Sequence, residues 1–162
     1  MKTSTGNLSK IGLNEKRSEK LAEMLNDLLA NYSIFYQNVR GYHWNIQGEK
    51  FFELHIKFEE LYNNLFLKID DVAERILTLG FKPNYKFTQY LKTSAILESN
   101  KVTNGQNSIE EILKSLQTIL TKQRLILDVS ADINDVGTNA LMNDYISEQE
   151  KLVWMYSAYL KV

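Results

Sequence analysis

The sequence predicts an all-α chain of four long helices packed as a bundle, with a short extra helix in the connection between the second and third. Three observations lead there. Proline occurs once, at Pro83, and glycine only seven times in 162 residues, so little interrupts long helices. Apolar residues recur at three- and four-residue spacing along most of the chain, the period of a helix with one buried face. The periodic stretches are joined by two short connections and one long one.

Residues 1–13 are polar and aperiodic, with Gly6 and Gly12 as breakers, and read as a flexible tail, while residues 14–162 read as one domain. From Asn14, a partial N-cap, Leu21, Leu25, Leu28, Leu29, Tyr32, Phe35, Tyr36 and Val39 mark a first helix to about Asn45. Past Gly48, the series Phe51, Phe52, Leu54, Phe58, Leu61, Tyr62, Leu65, Ile69, Val72, Ile76 and Leu79 marks the second, from about Lys50 to Leu79, with Gly80 as its C′ residue and Pro83 beyond. The crossing from Lys82 to Asn107 is rich in Asn, Lys and Thr, with Phe87, Tyr90 and Leu91 suited to the short helix. Ser108 followed by Glu111 reads as a capping box for a third long helix running to about Asn134. Val136-Gly137 then reads as a break and Thr138 as the cap of a fourth, carried by Leu141, Tyr145, Ile146, Leu152, Val153, Met155 and Tyr159. Short, long and short connections describe the ferritin-like variant of the four-helix bundle. The usual di-iron bundle carries Glu-x-x-His pairs on two helices; this sequence has none, which disfavours a metal site inside the bundle.

Nineteen basic and twenty acidic side chains give a formal charge of −1, so no global field attracts nucleic acid. Cysteine is absent, which excludes disulfides, thiolate metal sites and cysteine nucleophiles. Neither a secretory signal nor an apolar run long enough for a membrane span is evident, and a cytoplasmic protein with no membrane partner is expected.

The two histidines, His43 and His55, are followed on the second helix by Glu59, Asp70 and Glu74. At 100° per residue, positions 55, 59, 70 and 74 fall at about 0°, 40°, 60° and 100°, on one side of the helix. At ~1.5 Å per residue, however, Asp70 and Glu74 lie roughly 20–28 Å along the axis from His55, too far to share an ion. The spacing makes sense if two copies of the helix run antiparallel about a two-fold axis, bringing the histidine end of one subunit to the carboxylate end of the other. Imidazole plus carboxylate suits ferrous iron, with zinc, cobalt and manganese as competitors that residue type alone leaves open.

The segment GYHWNIQGEKFFELHIKFEELYNNLFLKIDDVAERILTLG and the carboxy-terminal DVGTNALMNDYISEQEKLVWMYSAYL resemble the Dps proteins, the miniferritins named as DNA-binding proteins from starved cells. The resemblance implies a ferroxidase site built from His43-Trp44-Asn45, His55, Glu59 and Asp70-Asp71-Val72-Ala73-Glu74-Arg75, with Glu59 standing where an Asp is common. It implies a dodecameric homo-oligomer whose two-fold interfaces carry the sites and whose cavity stores ferric mineral. Ferrous iron would be oxidised by hydrogen peroxide, or more slowly by dioxygen, in a two-electron reaction that avoids hydroxyl radical. His43 and His55 would hold one side of the iron, Asp70 and Glu74 of the neighbour would complete it, and Glu59 would orient a second iron or a water.

Trp44, next to His43, is a candidate for intercepting oxidising equivalents, with Tyr42 and Tyr36 as further candidates. Asp132, Asp135, Asp144 and Glu148 surround the junction into the last helix and are candidates to line an acidic pore for iron entry, although Ala140 stands where many relatives have an acid. Some Dps proteins bind DNA through a lysine-rich tail. Lys2, Lys10, Lys16, Arg17 and Lys20 are the counterparts here, interrupted by Glu15 and Glu19, with Lys161 at the other end. A shell that chiefly shields DNA is therefore the alternative to iron chemistry.

Overall fold

The computed structural model describes residues 7–161. Five helices follow in order: α1 (Glu15–Asn45), α2 (Phe51–Thr78), α3 (Phe87–Thr93), α4 (Gly105–Asp132) and α5 (Val136–Leu160). The expected bundle of four long helices is present, with α3 as the short extra one. α1 packs on α2 and α4, α4 on α5, and α3 lies against α1.

The crossing from α2 to α4 returns the chain along the whole bundle, so α4 begins beside the start of α2. Gln47 N–H donates to the Thr103 carbonyl at 3.0 Å, and Gly105 lies so close to Leu54 that an added Cβ would meet Leu54 Cδ1 at 2.4 Å. Asn31, buried in α1, anchors the middle of the crossing: its Oδ1 accepts from Ala95 N (3.0 Å) and Ile96 N (3.2 Å). Asn38 does the same one step on, donating to the Leu97 carbonyl and accepting from Ser99 N.

Helix ends follow the sequence reading in part. Asn14 caps α1 by accepting from Arg17 N, and α2 closes on Gly80 at φ 92°, a conformation available to glycine at little cost. The Ser108–Glu111 capping box does not form. Asn104 caps α4 instead, accepting from Asn107 N, because Ser108 is buried within the first turn and donates to the Lys101 carbonyl. The break before the last helix lies at Ile133–Asp135, where Asn134 adopts φ 58°. Val136-Gly137 is already helical and Asp135, not Thr138, is the cap. Residues 7–13, expected within a flexible tail, close a turn: Ser9 N–H donates to the Leu13 carbonyl, Gly12 N–H to Ser9 and Glu15 N–H to Asn7. Residues 1–6, with Lys2, lie outside the described residues.

The core is a continuous leucine, isoleucine and aromatic cluster crossed by one neutral polar ring. Tyr32 OH donates to Gln123 Oε1 (2.6 Å), Gln123 Nε2 to Gln149 Oε1 (2.7 Å), and Gln149 Nε2 to Tyr32 OH (2.6 Å). All three residues are buried, and α1, α4 and α5 each contribute one. Burial holds the Tyr32 phenol far above its ordinary value, so it remains a donor. None of the three is an acid or an imidazole, so this ring has no charge with which to attract an ion. Gln123→Ala should therefore lower stability by about 1–3 kcal/mol for each buried group it leaves unpaired. Tyr32→Phe, which keeps the glutamines bonded to each other, should cost less; denaturant unfolding at one protein concentration measures both.

Candidate metal centre

His43 lies in the last turn of α1, where backbone carbonyls lack intrahelical partners. His55 supplies one: its Nδ1 lies 2.8 Å from the His43 carbonyl, and His43 Nδ1 lies 2.7 Å from the His55 carbonyl. A carbonyl can only accept, so the bond geometry assigns the proton to Nδ1 in each ring. In the neutral imidazole the lone pair then sits on Nε2, and neither Nε2 has a protein hydrogen bond among the described residues. The rings stack with centroids 3.8 Å apart and planes 17° apart. Phe51 stacks on His55 at 5.0 Å, and Tyr62 meets His43 edge-on at 5.3 Å. The short turn through Gly48, at φ 105°, holds the two helix ends in this register.

The other end of α2 alternates inward and outward contacts. Asp71 accepts from Tyr145 OH at 2.7 Å; burial and this carboxylate raise the Tyr145 phenol far above its usual range. Arg75 donates through Nε to Thr138 Oγ1 (2.8 Å) and through a terminal nitrogen to Asp135 Oδ1 (2.6 Å). Gly137 makes room for this guanidinium, since a Cβ there would lie 2.8–3.0 Å from it. Asp70 and Glu74, one position earlier in each case, are exposed and make no ion pair or side-chain hydrogen bond among the described residues.

Within one chain the structure brings together His43 and His55 only. Glu59 follows His55 by one turn and is exposed; Asp70 and Glu74 lie at the far end of the helix, also exposed. Among the described residues no three His, Asp or Glu side chains gather closely enough in one chain to hold a metal ion. Apart from the exposed Asn63, the face that carries the four α2 candidates is otherwise apolar: Phe52, Ile56, Phe66, Leu67 and Leu77 are all more than half exposed and fall within the same ~120° of the helix. A patch of that kind on a lone subunit marks a surface built for a partner.

The chain matches the ferritin-like domain family over residues 22–162. It is 42% identical over 148 residues to the DNA protection during starvation protein of Porphyromonas gingivalis, covering 91% of this chain and 93% of that one. The chain belongs to the Dps family. An uncharacterised protein of Haemophilus influenzae is 55% identical over 148 residues, 91% of this chain and 92% of that one. The crystal structure of a Dps protein from Vibrio cholerae, described as a member of the ferritin-like diiron-carboxylate superfamily, superposes with a TM-score of 0.95 at 52% identity, covering 98% of this chain and all of that one.

Several other candidates are placed differently from expectation. Asp135 is 2% exposed and bound to Arg75 and Thr138, so it lines no pore. Glu148, though exposed, pairs with Lys68 at 2.7 Å and also accepts from Asn64, which leaves Asp132 and Asp144 as the exposed acids of that set with no side-chain partner among the described residues. Tyr42 is a core residue packed on Phe58, its phenol pushed up to about 12 by burial. Trp44 is 57% exposed and lies under the Arg40 guanidinium, 4.6 Å from its ring centre. Lys10, Lys16, Lys20 and Lys161 are exposed, whereas Arg17 donates to the Asp132 carbonyl at the end of α4. Sequence reasoning treated Tyr62 as an apolar position only, although its place seven residues after His55 sets it on the histidine face two turns on.

The Arg75 contacts fix the direction in which Asp70 and Glu74 project. Arg75→Ala, which strands the buried Asp135 carboxylate, should cost about 3 kcal/mol or more in denaturant unfolding. Arg75→Lys should recover only part of it, since one ammonium does not reproduce the planar fork.

Proposed function

We propose that the protein is a ferroxidase miniferritin: a homo-oligomeric shell, a dodecamer as the family implies, that oxidises ferrous iron at sites shared between two subunits and stores the ferric product inside. The observation that carries this reading is the division of α2. His55, with His43 of α1 stacked on it, stands at one end and two unpaired carboxylates at the other, along a largely apolar face that a single subunit leaves exposed.

An antiparallel two-fold contact through this face sets the His43 and His55 Nε2 lone pairs opposite Asp70 and Glu74 of the partner subunit, twice per contact. The mixed nitrogen and oxygen set suits ferrous substrate, and the added carboxylate charge favours the ferric product more strongly. The bonds from each Nδ1–H to a backbone carbonyl hold the rings in place and make the outer nitrogens better donors. Glu59, one turn from His55, orients a second ferrous ion or a water. Hydrogen peroxide needs two electrons and two protons to become two waters, so two ferrous ions oxidised together release no hydroxyl radical. Such a reaction removes both reagents that damage DNA, in keeping with the names of the relatives. A shell that acts by shielding DNA alone would leave the preset histidine pair without a use.

The test is anaerobic ferrous loading of the purified protein followed by peroxide, with iron oxidation and spin-trapped hydroxyl radical recorded together. The expected result is fast oxidation at about two ferrous ions per peroxide with little trapped radical, and an initial rate lowered at least about tenfold in His55→Ala with assembly size unchanged. Slow oxidation with abundant radical, or a fully active His55→Ala protein, would contradict the proposal.

A further inference from the structure

Two ferrous ions supply both electrons that peroxide requires; a site holding one supplies only half. The surroundings of His43 contain a second electron source. Tyr62, half-buried on α2, meets the His43 ring edge-on at 5.3 Å. Tyr36 on α1 follows at 6.1 Å from Tyr62, again edge-on. Beyond it Arg40 lies 5.3 Å from the Tyr36 ring centre and 4.6 Å from that of Trp44.

These positions rank the aromatic side chains as donors. Oxidising an indole by one electron creates a cation on the ring, and a guanidinium directly over that ring opposes it. The same guanidinium burdens Tyr36. Trp44 is further disfavoured by direction, because neighbouring helical residues project 100° apart, and among the described residues its ring stacks on neither histidine. Tyr62 touches the His43 ring, and among the described residues no cation lies over it. A phenol that gives up an electron also gives up its proton, so it leaves a neutral radical.

We propose that Tyr62, not Trp44, supplies the second electron when peroxide meets a site holding a single ferrous ion; this rests on the ferroxidase reading above. The reaction is Fe2+ + Tyr–OH + H2O2 + H+ → Fe3+ + Tyr–O• + 2 H2O. The O–O bond breaks, iron and phenol are each oxidised by one electron, and the phenolic proton joins the oxygen that would otherwise leave as hydroxyl radical. A later ferrous ion restores the side chain: Tyr–O• + Fe2+ + H+ → Tyr–OH + Fe3+.

The experiment loads the assembled protein with less than one ferrous ion per site under anaerobic conditions, adds peroxide, and freezes samples for electron paramagnetic resonance while iron oxidation is followed optically. The expected signal narrows when the protein is grown with ring-deuterated tyrosine and does not change with deuterated tryptophan. It is lost in Tyr62→Phe and persists in Trp44→Phe, while trapped hydroxyl radical rises severalfold in Tyr62→Phe at this loading only. Isotope labelling needs no substitution, so it decides between tyrosine and tryptophan even if Tyr62→Phe assembles poorly. Prompt iron oxidation with no tyrosine signal, or with one that survives in Tyr62→Phe, overturns the assignment and leaves the ferroxidase reading standing. Oxidation no faster than in protein-free solution overturns both.

Discussion

A continuous helix cannot bring its own ends together, and the rest of the molecule is arranged around that constraint. α2 runs unbroken from Phe51 to Thr78, which is about 40 Å at the usual rise per residue. Its imidazole end and its carboxylate end belong to different places. Each end is fixed by separate neighbours: the histidines by the turn into α2 and by α1, the carboxylates by α5 through Asp71 and Arg75. Neither set depends on the other for its orientation, as two half-sites meeting in different subunits require.

The interior of the bundle is organised for stability and not for binding. Inside the bundle this chain places Tyr32, Gln123 and Gln149 in a closed neutral ring. The buried charge of Lys68 is held by Glu148 and Asn64 and lies 4.7 Å from the Tyr145 ring centre. Because the inward polar groups are paired, the unpaired ones face outward, and on α2 they do so among exposed phenylalanine, leucine and isoleucine. On the proposed reading chemistry and assembly share one surface, so loss of the contact would remove both.

Helix number, order and approximate extent were legible because periodicity and connection length are local properties. So was the division of the candidate site, since helix rise and angle need no tertiary information. What escaped were features decided by a distant neighbour. Gly137 looks like a helix breaker until Arg75, far away in sequence, occupies the space of its missing Cβ. Asp135 looks like a pore acid until Arg75 claims it, and Ser108 looks like a cap until the crossing buries it. Tyr62 carried a usable signal in its seven-residue spacing from His55, but as an apolar helix position it looked the same as core.

The most direct test of a site divided between subunits is complementation by mixed assembly. A His55→Ala subunit and an Asp70→Asn/Glu74→Gln subunit, each inactive alone, are co-assembled and assayed for ferrous oxidation by peroxide. An antiparallel shared site predicts recovery: half of randomly formed pairs are mixed, and each mixed pair contains one site with every ligand intact, so activity should return to about a quarter of the original. A mixed assembly as inactive as its parents would contradict the shared site and require the ligands to meet within one chain.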